Sequence, residues 1–157
     1  MGNVFYYDTP IGRLMIGGQD DNITYLLFEG NPVPRGYSIG ETPILAEAAR
    51  QLDEYFCGRR KEFDLRLEPM GTEFMNKVWT SLLKIPYGQT RSYKDIAESI
   101  GKNKAYRAVG LANNRNPISI IIPCHRVVGS NGALVGYGGG LEIKTFLLNL
   151  EQENSSL

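Results

Sequence analysis

Three short, β-rich runs, residues 4–7, 13–16 and 23–28, open the chain, built mostly from β-branched, aromatic or long aliphatic side chains. They are separated by Thr9-Pro10-Ile11-Gly12 and by Gly17-Gly18-Gln19-Asp20-Asp21-Asn22, whose Gly, Pro, Asn and Asp residues suit turns. The pattern predicts three antiparallel strands in a meander. The period then lengthens. Ile44, Leu45, Ala48, Leu52, Tyr55 and Phe56 follow helical spacing behind Thr42-Pro43, an N-cap with proline at the first helical position, and Gly58 closes the run. Residues 59–71, with alternating Phe63, Leu65 and Leu67 before Pro69 and Gly71, read as a link with at most one edge strand. The domain boundary falls there, giving an N-terminal domain 1–70 and a C-terminal domain 71–157.

After the link the helical period dominates. Thr72 caps a run with Phe74, Met75, Val78, Trp79, Leu82 and Leu83 on one face, ended by Pro86-Tyr87-Gly88. Ser92-Tyr93-Lys94-Asp95 has the form of a capping box with Asp in place of the usual Glu, and opens a short helix with Ile96, Ala97 and Ile100 inward, stopping at Gly101. A third helix starts near Asn103 and carries Ala105, Val109 and Ala112. Two short helices joined at a glycine have the dimensions of a helix-turn-helix, although hairpins of ordinary all-α domains share them. Residues 116–128 form an apolar, strand-like run up to Pro123, and the tail 151–157 is expected to fray.

Composition narrows the class. The chain has 157 residues with 17 Lys+Arg, 17 Asp+Glu and one His, so it is not coated in basic surface. The charge is unevenly spread: residues 1–70 hold seven basic and eleven acidic side chains, whereas 84–115 hold seven basic ones against Asp95 and Glu98. A local positive excess fits a phosphate-facing surface, and equally a solvated helical face. No apolar run approaches the roughly 20 residues of a membrane span, and no secretory signal opens the chain, so the expected setting is cytoplasmic, without a membrane partner. Cys57 and Cys124 are expected as reduced thiols; with a single His they cannot complete a four-ligand Cys/His zinc site, so no metal is expected.

The chemistry concentrates at Pro123-Cys124-His125-Arg126, where the only imidazole follows a cysteine. A cysteine nucleophile needs its thiolate, which an imidazole can generate. Adjacent side chains diverge in a strand, so contact between the two requires a turn at Pro123 or a bridging water. A buried, inert cysteine beside a structural histidine fits these residues as well.

Pro123-Cys124-His125-Arg126-Val127 also resembles the signature of the O6-alkylguanine-DNA alkyltransferases, the methylated-DNA-protein-cysteine methyltransferases. The resemblance runs from Phe74 to Glu151 and includes Tyr87-Gly88-Gln89-Thr90, Ser92-Tyr93, Arg107-Ala108-Val109-Gly110, Asn116-Pro117 and Gly136-Tyr137-Gly138-Gly139-Gly140. With the periodicity it gives the expected fold class: α+β, a small N-terminal antiparallel sheet with a helix, then a mainly helical C-terminal domain with a winged helix-turn-helix. It implies that the Cys124 thiolate attacks the alkyl carbon on guanine O6 and keeps the group as a thioether, without a cofactor. His125 would deprotonate Cys124 through a water and lower its pKa, Glu151 would orient His125, and Tyr93 would donate a proton toward guanine N3. The partner implied is double-stranded DNA carrying alkylated guanine, bound by a monomer through the minor groove with little sequence preference. Arg107 would fill the gap left by the flipped base, while Ala105, Ala108 and Gly110 permit close approach. Asn116, Val127, Tyr137 and Gly138 would line the base pocket.

Two departures stand out. The first 70 residues contain no His and only Cys57, so the N-terminal zinc of some members is not expected. Ser119 stands where some members have proline, beside the hinge at Asn116. Two other classes compete: alkyltransferase-like DNA-binding proteins, which lack the reactive cysteine that Cys124 would supply, and a small winged-helix regulator with an inert cysteine.

Overall fold

Turn chemistry in the first 30 residues closes two hairpins. In the computed structural model, which describes residues 1–155, β1 (Gly2–Thr9) pairs antiparallel with β2 (Gly12–Gln19), and β2 with β3 (Asn22–Phe28). Between β1 and β2 the Thr9 hydroxyl accepts from the Ile11 N–H at 3.2 Å and donates to the Gly12 carbonyl at 2.6 Å. The β2–β3 turn needs a left-handed residue, and Asp20 takes φ +54°, which aspartate tolerates better than most residues. The sheet is not purely antiparallel, because β4 (Tyr37–Ile39) adds to β1 in parallel and makes the order β3-β2-β1-β4. Three residues are too few for a strand period to register in sequence.

Helix α1 (Pro43–Phe56) packs on this sheet and buries Leu45, Ala48, Leu52, Tyr55 and Phe56. The fit is close at Gly18, where a Cβ would lie 3.2 Å from Leu45 Cδ2 and 2.9 Å from the Asn22 carbonyl. Thr42 holds the N-cap position but its side chain makes no capping hydrogen bond. Gln51 is buried among the apolar residues because it is paired: its amide accepts from the Asp64 N–H at 2.9 Å and donates to the Asp64 carbonyl at 3.1 Å. The expected edge strand in 59–71 shrinks to one parallel bridge between Leu67 and Ile23. Residues 1–70 form one compact unit and 71–157 another.

In the second unit α2 (Glu73–Leu82) starts where the Thr72 hydroxyl accepts from the Met75 N–H at 3.1 Å. Val78, Trp79 and Leu82 are buried, whereas Leu83, expected on the same face, is 48% exposed at the C-cap. The Trp79 indole donates to the Ala112 carbonyl at 2.9 Å, tying α2 to α4 (Tyr106–Asn114). Helix α3 (Tyr93–Ser99) opens with both hydrogen bonds of the Ser92–Asp95 capping box, and Gly101 at φ +73° turns the chain toward α4. Helix α4 begins at Tyr106, not near Asn103, because the Ala105 N–H folds back onto the Lys102 carbonyl at 2.8 Å and closes a turn first. Ala105 is therefore its cap.

The run 116–123 is not a strand. The Asn116 side chain donates to the Ile122 carbonyl at 2.8 Å and accepts from the Ile118 N–H at 2.9 Å, which folds the isoleucines into a loop with Ile120 at φ +72°. That loop leads into a 3₁₀ turn, Cys124–Arg126. The wing is reduced to a two-residue parallel pair, β5 (Arg91–Ser92) with β6 (Val127–Val128), and the loop 129–140 follows. The tail does not fray at Glu151: α5 (Leu141–Asn154) runs past it with Lys144, Leu147 and Glu151 buried, and Ser156 and Leu157 lie outside the described residues.

The two threonine caps differ in a measurable way. Thr72→Ala should lower unfolding free energy by about 1 kcal/mol, whereas Thr42→Ala should cost only a few tenths, as urea unfolding followed by circular dichroism would report. Equal losses would contradict the cap geometry.

Candidate active site

The 3₁₀ turn aims successive side chains in different directions. Cys124 is 4% exposed and His125 fully buried, and among the described residues no hydrogen bond joins the thiol to the ring. Burial pushes the Cys124 thiol up to about 11; the Asn116 amide, the Lys144 charge and the Ser119 hydroxyl pull the other way without overcoming it. The expectation of a thiol pKa lowered by His125 is therefore corrected. Burial favours the neutral thiol, because a charged sulfur would lose its water and no hydrogen bond from the imidazole offsets that loss.

His125 points to α5, where Nε2 and Glu151 Oε2 lie 2.7 Å apart. Glu151 is 1% exposed, yet it stays ionised. Burial would raise its pKa, but the hydrogen bonds and charges of His125 and Arg126 outweigh that and hold the carboxyl well below the usual carboxylate range. Arg126 grips the carboxylate with two donors, Nε to Oε1 at 2.7 Å and Nη2 to Oε2 at 3.0 Å, and its Nη1 donates to the Ile85 carbonyl at 2.7 Å. The Gly88 N–H adds a weaker bond to Oε1 at 3.3 Å. Burial, backed by the charges of Arg126 and Lys144, keeps His125 below its ordinary value against the pull of Glu151, so the ring is neutral. An ionised carboxylate only accepts, so Nε2 carries the proton and Nδ1 presents a lone pair. Nδ1 is buried and makes no hydrogen bond among the described residues.

Lys144 was not singled out in sequence. Its ammonium is buried and spends three donors on the carbonyls of Val127 at 2.7 Å, Val135 at 3.0 Å and Gly136 at 3.2 Å, fixing the loop beside Cys124. Asn113 was also missed, and donates to the Cys124 carbonyl at 3.4 Å. A signal existed for Lys144 and Glu151: both share the helical stripe of Leu147, where a charge needs a buried partner. Nothing in the sequence tells that the Arg126 side chain goes inward.

Tyr93 joins this cluster. Its hydroxyl donates to the Val135 carbonyl at 3.1 Å, and burial together with the neighbouring Cys124 raises its pKa, so it remains a phenol. Tyr137 has a buried hydroxyl oxygen and a pKa raised well above the ordinary value by burial, Cys124 and Glu151. Asn116 and Val127 are buried beside the turn. Gly138 is not brought in: it is exposed, with nothing within 4 Å of where its Cβ would be. Arg107 and Ala108 are exposed on α4, Ala105 and Gly110 half-buried, and a Cβ on Gly110 would lie 3.7 Å from the Tyr93 ring. Arg107 makes no hydrogen bond or ion pair among the described residues, and neither Cys124 nor His125 lines the grooves of about 520 and 570 Å³ along α2 and α3. No cluster of three or more potential metal ligands occurs among the described residues.

The chain as a whole is similar to known proteins. Residues 73–153 match the family described as 6-O-methylguanine DNA methyltransferase, DNA binding domain, and residues 5–69 its ribonuclease-like domain. The methylated-DNA--protein-cysteine methyltransferase of Methanosarcina barkeri is 54% identical over 95% of this chain and 98% of its own. The constitutive enzyme of Bacillus subtilis is 50% identical over 92% of each. The crystal structure of Mycobacterium tuberculosis OGT in complex with DNA superposes with a TM-score of 0.92 at 45% identity, covering 97% of this chain and 94% of that one.

The Arg126–Glu151 pair makes a prediction about stability. Arg126→Ala leaves a buried carboxylate short of its cation and should cost about 3–5 kcal/mol in urea unfolding. Because the folded Glu151 pKa is depressed, its contribution is full above the unfolded value of about 4.3 and is lost as pH falls through the folded value. The deficit of the variant should thus narrow in acid. A loss below about 1 kcal/mol at neutral pH would show that the pair acts like a surface bridge.

Proposed function

The chain belongs to the 6-O-methylguanine DNA methyltransferase family, a DNA repair protein that transfers methyl groups to its own cysteine, and on that premise we propose that Cys124 is the acceptor. The observation that carries the assignment is the neutral His125 ring held by Glu151 at 2.7 Å, with Nδ1 turned away from the carboxylate. The Cys124 Sγ attacks the alkyl carbon on guanine O6, the carbon–oxygen bond breaks, and the thioether stays on the protein. The thiol proton passes through a water to Nδ1, and Glu151 stabilises the imidazolium. The Tyr93 phenol delivers a proton to guanine N3 as the base leaves. Asn116, Val127 and Tyr137 form the pocket, which Gly138 joins if the loop 129–140 closes over the base.

DNA is the partner, and the minor groove is the proposed docking site for α4. The groove offers little to distinguish one base pair from its reverse, which suits a protein that must act in any sequence. Ala105, Ala108 and Gly110 allow approach, and Arg107 fills the vacancy left by the extruded base at a cost of a few kcal/mol in unstacking. One chain carries the whole cluster, so the active species is a monomer. Its place of action is where the chromosome lies, the cytoplasm or nucleoid.

Two measurements test this reading. Incubation with a methylated duplex, followed by intact-protein and peptide mass spectrometry, should show one methyl group on the Cys124 peptide and none after Cys124→Ala. Methylation at Cys57 would refute it. For proton transfer, the single-turnover rate of the wild type should stay nearly flat from about pH 7 to 9, since a neutral His125 takes the proton in the transition state. His125→Ala must rely on preformed thiolate, which with a thiol near 11 rises about tenfold per pH unit over that range. A flat profile in the variant would remove His125 as the base.

A further inference from the structure

Small residues are only part of what α4 presents. Its buried side is formed by Val109, Ala112 and Asn113, and the opposite ridge carries Arg107 and, one turn on, Leu111. Leu111 is 52% exposed and Tyr106, the residue before Arg107, is 49% exposed. Both are bulky apolar groups left in water on the element proposed to enter the minor groove, within a segment holding seven basic residues against two acidic ones. A surface chosen only for close approach would carry neither.

We infer that Leu111 is a second, apolar wedge against the base stack behind Arg107, and that Tyr106 is an aromatic contact for the nucleotides on the lesion side; this rests on the docking of α4 proposed above. Residues four apart on a helix share a ridge, separated by about 5–6 Å between Cβ atoms. Bases stack about 3.4 Å apart along a strand, so with Arg107 in the place of the flipped base Leu111 reaches the following step or its sugar edge. Apolar side chains are wedged between bases in this way by proteins that bend DNA from the minor groove. Tyr106 lies on the flank of α4 shared with Gly110, the glycine that faces the Tyr93 ring, which places it toward the reacting base. A tyrosine there offers a stacking face to bases or sugars of any sequence. The positive segment around the pair supplies the charge complement to the phosphates, which commits the surface to DNA.

The experiment compares two substrates and one binding assay. Leu111→Ala and Tyr106→Ala should each weaken equilibrium binding to a methylated duplex, and slow its repair, by roughly tenfold, equivalent to about 1.4 kcal/mol. Reaction with free O6-benzylguanine should slow far less than duplex repair, since a free base needs no flipping. Leu111→Met and Tyr106→Phe should restore most of the loss. A 2-aminopurine placed beside the lesion should brighten less with Leu111→Ala. Unchanged duplex binding and repair in both alanine variants, or equal slowing on duplex and free base, would overturn the inference. If the wild type takes no alkyl group from either substrate, the acceptor reading of Cys124 fails, while duplex binding by the same variants still decides the roles of Leu111 and Tyr106.

Discussion

A single buried carboxylate holds the site in register. Glu151, on the last helix, accepts two bonds from Arg126, one from His125 and one from the Gly88 amide, and so ties α5 both to the 3₁₀ turn and to the segment after α2. An ion with no water is costly unless its lone pairs are filled, and here every available direction is. Because the guanidinium and the imidazole come from adjacent residues, satisfying the carboxylate also fixes the rotation of the turn. Cys124 then has no freedom of its own: it points where the next two residues leave it.

This arrangement separates holding a proton from moving it. Burial keeps the thiol protonated and the imidazole neutral. Each is poised for exchange only when a substrate supplies the electrophile. A buried thiol is a poor target for oxidants, since the thiolate is the reactive species. If Cys124 is the acceptor proposed above, its product is a thioether that no step in the site cleaves, and such protection before the encounter conserves the protein. Lys144 serves the same end from the other side: by fixing the carbonyls of Val127, Val135 and Gly136 it holds the loop that Tyr93 also grasps through Val135.

The helix proposed to face DNA is attached to this centre by packing and not by charge. Trp79 and Val109 anchor α4 from beneath, leaving Arg107 and Leu111 outward, and Gly110 lets the Tyr93 ring approach. In the proposed docking, Arg107 and the glycine that faces Tyr93, Gly110, thus sit one helical turn apart, which would couple base extrusion to arrival at the thiol.

Local rules carried much of the reading. Strand period, turn residues and caps are set by neighbours within four positions, so β1 to β3, α1, α2 and the Ser92–Asp95 box were legible, as was the adjacency of a cysteine and the only histidine. The parallel strand β4 was too short to read, and the isoleucines before Pro123 imitated a strand because burial alone produces an apolar run in either conformation. The sequence by itself determined the element types, the positive segment and the candidate nucleophile. Only the tertiary structure decided that Arg126 and Lys144 turn inward, that Glu151 lies in a helix and not a frayed tail, and that the thiol pKa rises and does not fall. Those outcomes depend on lost water and on partners tens of residues away, such as Arg126 and Glu151, which chain closure brings together and which no local pattern records.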